Sequence, residues 1–172
     1  METQNKLLQL ISGEENLVLK ASSGSRLIYQ SGETFTSFLD PKFVALGLNK
    51  KGITTAETKI QIYEIAHSGD FMDIFKSLPG TWNQKWLSQN QIIDFCEQLS
   101  KYLYFQGYAV IFICKIDEMK EVDEENPQNN LVVVSTHLDA SGLSAEFYRL
   151  SHYSSAWHAI NTNRFVIPQL NN

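Results

Sequence analysis

Three side chains near the C-terminal end have types and spacing that could do chemistry: His137, Asp139 and Glu146. His137 and Asp139 are two apart in a strand-like segment, so both project from one face. Val132, Val134 and Leu138 occupy the other face, which reads as the core side. If Ala145 and Phe147 share that core face on the next strand, Asp139 falls opposite Ser144, His137 opposite Glu146, and Ser135 opposite Tyr148. The expected result is an outward cluster of His137, Asp139, Glu146 and Tyr148. One imidazole with two carboxylates suits a hard or borderline divalent cation, or acid–base work in a hydrolase. The same residues also read as a cross-strand His–Glu pair on a solvated face, worth well under ~1 kcal/mol.

Cysteine chemistry is the next candidate. The chain has two cysteines, Cys96 and Cys114, in no CxxC pair, each inside an apolar segment. Zinc-ribbon and thioredoxin-type motifs are therefore absent. With Ile116 opposite Leu131, Cys114 lies opposite Val133, and His137 sits about 13 Å further along at strand rise. A nucleophilic dyad needs contact at about 3 Å. Both cysteines read as reduced core residues. The acidic stretch Asp117–Glu125 has Val122 in its middle and no Gly, which a calcium loop of the EF-hand type requires. It reads as a solvated hairpin tip. His152 and His158, six apart around Tyr153 and Trp157, read as aromatic packing partners, and His67 as a surface turn residue. No nucleophile elbow, H-E-x-x-H, P-loop or dinucleotide fingerprint is present.

Aromatic residues make up 12% of the chain, more than a core of this size requires, so some are candidates for a binding surface. Trp82 and Trp86 are four apart and share a face if helical. With Tyr153 and Trp157 they are candidate anchors for a partner, since Trp and Tyr dominate interface hot spots. Alternatively the Trp pair caps the core where two helices meet.

Helices come first and strands later. Residues 3–11 read as a short helix stopped at Gly13, and Arg26–Gln30 as a short strand. Asp40-Pro41 starts a helix carrying Phe43, Val44 and Leu46. Lys59–Ile65 alternates as a strand. Asp70 heads a helix with Phe71, Ile74, Phe75 and Leu78 on one side, ended by Pro79-Gly80. Ser88 and Gln91 form a capping box before the stripe Ile92, Phe95, Cys96, Leu99, Tyr102 and Leu103. Beyond Gly107 come strands at Tyr108–Ile116, Leu131–Leu138, Ala145–Leu150 and Phe165–Ile167. The expectation is one α+β domain over 1–172. Short helices and one longer helix (roughly 1–107) pack on a C-terminal antiparallel β-meander (roughly 108–170), which could curl into a half-barrel.

The stretch from Phe35 to Leu170 resembles a group of uncharacterised bacterial proteins. The resemblance rests on Phe38-Leu39-Asp40, Tyr63-Glu64, Phe75 with Ser77-Leu78, Gln91-Ile92, Phe95-Cys96, Gly107-Tyr108-Ala109, and Val166-Ile167-Pro168-Gln169-Leu170 behind Trp157. The matching residues are aromatics, turn formers and helix caps. The resemblance implies a shared fold and no activity, cofactor or catalytic residue.

The 172 residues carry 14 basic and 19 acidic groups, net −5, and residues 87–172 hold all of the excess negative charge. That argues against a nucleic-acid platform, which needs a basic face. The start of the chain lacks the basic n-region and apolar run of a secretory signal, and no window approaches the ~18 apolar residues of a membrane span. The reading is a cytoplasmic, non-enzymatic domain that binds a protein partner or itself, with no cofactor. The alternative is a hydrolase-like enzyme using His137, Asp139 and Glu146, with or without a metal. Thermal unfolding tests the alternative with a metal. A metal-dependent enzyme predicts a midpoint raised several degrees by Zn²⁺, Mn²⁺ or Ca²⁺, the rise being lost in His137→Ala; no shift with any of them removes the metalloenzyme.

Overall fold

The computed structural model describes residues 6–13, 15–103, 108–150, 163–170 and the backbone of 156–157. Strands β1 (Leu8–Leu10), β2 (Leu17–Leu19), β3 (Phe38–Leu39), β4 (Thr58–Ile65), β6 (Ala109–Lys115), β7 (Leu131–Asp139), β8 (Gly142–Arg149) and β10 (Arg164–Pro168) form one open mixed sheet. Its order is β1-β4-β10-β6-β7-β8-β3, with β2 also on β4. A two-stranded pair joins β5 (Gly69–Asp70) to β9 (Ala156–Trp157). The helices are α1 (Lys42–Ala45), α2 (Phe71–Ser77) and α3 (Gln89–Gln98). No described helix is long and apolar enough to cross a membrane.

The α+β class holds, but the division into a helical first part and an antiparallel second part does not. β1, β2, β3 and β4 come from the first part and join the same sheet. β10 pairs parallel with β6 and antiparallel with β4, so the sheet is mixed and its ends stay open.

The sheet is covered on both faces. Along β6, Val110, Phe112 and Cys114 enter one apolar cluster, while Ala109, Ile111 and Ile113 enter the other. The first cluster lies under α1, α3 and the chain before β4, where Phe95 meets Phe112 edge to face at 5.2 Å. The second lies under α2, where Phe75 meets Phe165 at 5.4 Å. Every residue of β6 is buried. This explains its continuous apolar run, since a strand facing two cores cannot alternate with polar residues.

Two local expectations are overturned. The segment around Leu8–Leu10 is a strand on β4 rather than a helix. An isolated helix of nine residues is marginal, and the edge of β4 supplies a ladder instead. Ile28–Gln30 is a turn of 3-10 helix rather than a strand. Its Ile28 N–H is donated to the Gln89 side-chain oxygen at 3.1 Å, so no ladder needs it. α3 begins at Ser88 as expected: Ser88 Oγ accepts from the Gln91 N–H (3.2 Å) and Gln91 Oε1 accepts from the Ser88 N–H (3.0 Å). It ends at Gln98, and Ser100–Tyr102 continue as 3-10 helix.

Burial on both faces carries a stability consequence. Ile111→Ala, on the face under α2, should cost about 2–5 kcal/mol, as an interior truncation does. Glu146→Ala on the same face, beyond the α2 layer, should change stability by less than about 0.5 kcal/mol. Denaturant titration of the two variants measures the contrast.

Candidate functional site

The aromatic candidates sit where the sheet splits. β10 runs beside β6 as far as the pair Val166↔Phe112. One residue further, β6 exchanges β10 for Trp86, which bridges Ile113, and the Leu87 N–H is donated to Ile113 O at 2.8 Å. β10 meanwhile stays with β4 to the pair Pro168↔Ile60. The chain passes between the two core layers at this point: Trp86 packs on the α2 cluster and Leu87 enters the α3 cluster.

The segment before it is built from short-range signals. Gly80 has φ +89, a left-handed conformation that a side chain would strain, and it turns the chain out of α2. Thr81 then heads the 3-10 turn Trp82–Gln84, and its N–H is donated to Gln84 Oε1 at 2.9 Å. The Glu124 carboxylate accepts from the N–H groups of Trp82 (2.8 Å) and Asn83 (2.9 Å) and from Asn83 Nδ2 (3.0 Å). Asn83 is also bonded to Val122 in both directions, through Nδ2 to Val122 O (3.0 Å) and Oδ1 from the Val122 N–H (2.9 Å).

The acidic loop is exposed over most of residues 119–126, as a hairpin tip should be, but two of its carboxylates reach back to other segments. Glu118 accepts from the Ile53 N–H at 2.9 Å and from the Gln89 N–H, in the first turn of α3, at 3.3 Å. A Cβ at Gly52 would stand 2.0 Å from the Glu118 carboxylate, so a side chain there would push that carboxylate aside. Burial pushes the Glu118 carboxyl up from its ordinary value, against the two N–H donors. At Glu124 burial also raises the carboxyl, but the N–H donors of Asn83 and Trp82 outweigh it and hold it low.

Two lysines complete the arrangement. Lys85 is buried, with Nζ 4.9 Å from the Trp82 ring centre, and donates to Phe75 O at 3.0 Å near the end of α2. Lys115 is buried with Nζ 4.3 Å from the Trp86 ring centre. Burial lowers both amines, opposed by neighbouring acidic groups. Cation–π contact of this kind contributes ~1–2 kcal/mol when partly desolvated. Trp82 is 9% exposed and is a core residue. Trp86 is half-buried and forms part of the wall of an open groove of about 480 Å³. Thr55, Thr58, Asn83, Gln91 and Gln169 are among the other lining residues, and none of the described lining residues is charged. Gln91 Nε2 is bonded to Thr58 Oγ1 at 2.8 Å across its floor.

The His–carboxylate cluster is not assembled as expected. β7 and β8 are offset by two residues from the expected register: His137 lies opposite Ser144, Asp139 opposite Gly142, and Glu146 opposite Ser135. His137 Nε2 is 3.1 Å from Ser135 Oγ. Tyr148 donates its hydroxyl to Glu146. Asp139 accepts from the Ser141 hydroxyl (2.6 Å) and N–H (2.7 Å), and the Ser141 hydroxyl is the main cause holding its carboxyl below the usual range. Their face is open to solvent only at this end, where Asp139 is exposed and His137 and Glu146 are half-buried; Leu131 and Val133 further along it are buried under the α2 layer. No three of His, Cys, Asp and Glu gather as metal ligands among the described residues. Cys114 lies opposite Val132 rather than Val133, with His137 opposite Ala109, about 17 Å away at strand rise. Both thiols are buried, which pushes each well above its ordinary value. Tyr153, His152 and His158 lie outside the described residues, and for Trp157 only the backbone, paired with Gly69, is described.

Sequence reasoning missed Glu118, Glu124, Lys85 and Lys115. No local pattern marks an acidic loop that folds back on helix starts. The one available local signal was Lys85, set between Trp82 and Trp86. Compared with protein-family models, curated proteins and solved structures, the chain matches none.

Glu124 gives this site a pH dependence. Its folded value is below the ordinary 4.5, so its stabilisation is fully present above that pH and is lost as pH falls through the folded value. Glu124→Gln should lower stability by less than about 1 kcal/mol at neutral pH, since the site is exposed and Gln keeps one acceptor oxygen. It should also flatten the acid limb of a plot of melting midpoint against pH.

Proposed function

We propose that this chain is a non-enzymatic, cytoplasmic protein-binding domain, and that its contact site is the groove beside Trp86. The observation that carries the reading is the state of that one ring. Trp86 is half-buried, held from within by the Lys115 ammonium, and open to a concavity whose described lining residues are uncharged. A rigid aromatic with little rotamer freedom left to lose is the usual anchor of a protein contact. The groove suits an extended segment with apolar and uncharged hydrogen-bonding side chains. It offers Trp86 for packing and the amide and hydroxyl groups of Gln169 and Thr55 for polar contact.

Net charge of −5 supports a protein partner over nucleic acid. Two free, buried cysteines support a reducing setting. The hydrolase-like alternative would need His137, Asp139 and Glu146 to converge on one point. Their separate hydrogen bonds to Ser135, Ser141 and Tyr148 favour a structural role. Membership of the bacterial group resembled in sequence is part of the proposal and adds no activity to it.

The two tryptophans should separate in experiment. Trp82→Ala should cost about 3–5 kcal/mol, while Trp86→Ala should leave a folded protein with a smaller loss. A displayed peptide library panned on the wild-type domain and counter-selected on Trp86→Ala should yield uncharged, apolar-rich peptides that alter Trp86 fluorescence. A library that yields nothing, or binders indifferent to Trp86→Ala, would overturn the proposal.

A further inference from the structure

We propose that the open edge of β1 is a dimerisation edge, and that its occupant is β1 of a second copy of this chain. The two strands would pair antiparallel across a twofold axis, joining two eight-stranded sheets into one.

The direction of the backbone groups comes first. Ala66 donates its N–H to Leu7 O at 2.9 Å, and Ile11 donates its N–H to Ile62 O at 2.9 Å. Leu7 and Ile11 are therefore bonded to β4. By antiparallel alternation Gln9, opposite Glu64, is bonded to it as well. Leu8, opposite Ile65, and Leu10, opposite Tyr63, are then the pairs without ladder bonds. Their N–H and C=O groups point away from β4. The Ile65 N–H agrees from the other side, since it is donated to Asn163 O, toward β10. β1 ends the order of the sheet, and no described residue takes up the outward groups of Leu8 and Leu10.

The side chains make this edge competent to pair. Leu10 is 38% exposed, among the few large apolar residues left in solvent. Beside it opens a cavity of about 820 Å³ between β1, Tyr63, His67 and the Ser77–Pro79 end of α2. Edges that must stay single carry charges, prolines or bulges, or are kept very short. The opposite edge does so: β3 is two residues long and is followed by Asp40-Pro41-Lys42. β1 is also short, at three residues, but Leu7 to Ser12 contains no charge and no proline.

The register suits a second copy of the chain. Pairing Leu8 with Leu10 of the partner subunit joins outward groups to outward groups in both directions. It places Gln9 against Gln9 of the partner subunit on the axis, where each amide can donate and accept. Lys6 falls opposite Ser12 of the partner subunit, so no like charges meet. Leu8 and Leu10 of both copies then share the face bearing α2, and the exposed Leu10 is covered.

This inference rests on the reading of the domain as a protein-binding one and names a partner for it. The edge lies at the Tyr63–Ile65 end of β4, whereas the Trp86 groove lies at Thr58, so either can fail without the other. Sedimentation of the full chain over a concentration series tests it. The expected mass rises from 19.6 kDa toward twice that value. Leu10→Lys puts a charge on the edge, and Leu10→Pro removes an outward N–H that β4 does not use. Both should stay at the single-chain mass with unchanged circular dichroism, while Trp86→Ala dimerises as wild type does. In the wild type, exchange of the Leu8 and Leu10 amides should slow by about tenfold or more between dilute and concentrated samples. A wild type that stays at 19.6 kDa throughout overturns the proposal, as does a dimer that survives both Leu10 substitutions. Should both variants unfold, amides that exchange equally fast at both concentrations overturn it.

Discussion

Everything in this fold follows from β6 being buried along its whole length on both faces. A strand whose Val110, Phe112 and Cys114 face one way and whose Ala109, Ile111 and Ile113 face the other must be covered twice. The chain meets this demand with α3 and α1 on one side and α2 on the other. It can do so only by carrying its backbone from one layer to the other between α2 and α3. The crossing point is Trp86-Leu87, which takes over from β10 as the neighbour of β6. The groove is thus a product of topology: where β10 stays with β4 and Trp86 stays with β6, the sheet splits and a concavity opens.

Such a crossing leaves backbone groups without ladder partners, and side chains supply them. Glu124 takes the N–H groups of Trp82 and Asn83, and Asn83 completes a side-chain bridge to Val122. Glu118 takes those of Ile53 and Gln89. Anionic acceptors suit these positions because first-turn N–H groups carry partial positive charge. The acidic stretch between β6 and β7 is therefore a clamp on the crossing segment and on the start of α3. The lysines work from beneath. Lys85 closes the carbonyl end of α2 while facing Trp82, and Lys115 backs Trp86. Each ammonium is removed from water by the aromatic ring it supports, which is why burial lowers both.

Much of the local structure was legible in the sequence. The capping box at Ser88 and Gln91, the apolar side of α2, the alternation of β4 and the run that becomes β6 were all readable, because caps and periodicity are properties of a few neighbouring residues. The register of β7 against β8 was not. A shift of two residues preserves the facing of every side chain, so the parity argument placed His137, Asp139 and Glu146 on one face and still set the wrong residues opposite each other. The helix expected over residues 3–11 failed for a different reason: Leu8–Leu10 meets the edge of β4, and a ladder formed with a distant segment overrides weak helical preference in a short stretch.

By itself the sequence determined the α+β class, the positions of the strongest helix and strands, the buried state of both cysteines, and the net charge of −5. Each depends on composition, spacing or capping within a short window. Tertiary structure decided the mixed order of the sheet, its burial on both faces, the separation of Trp82 into the core from Trp86 at a groove, and the conversion of an acidic loop into a clamp. Each of these depends on which distant segments meet. That choice is made by the summed burial of two apolar layers rather than by any residue's own preference.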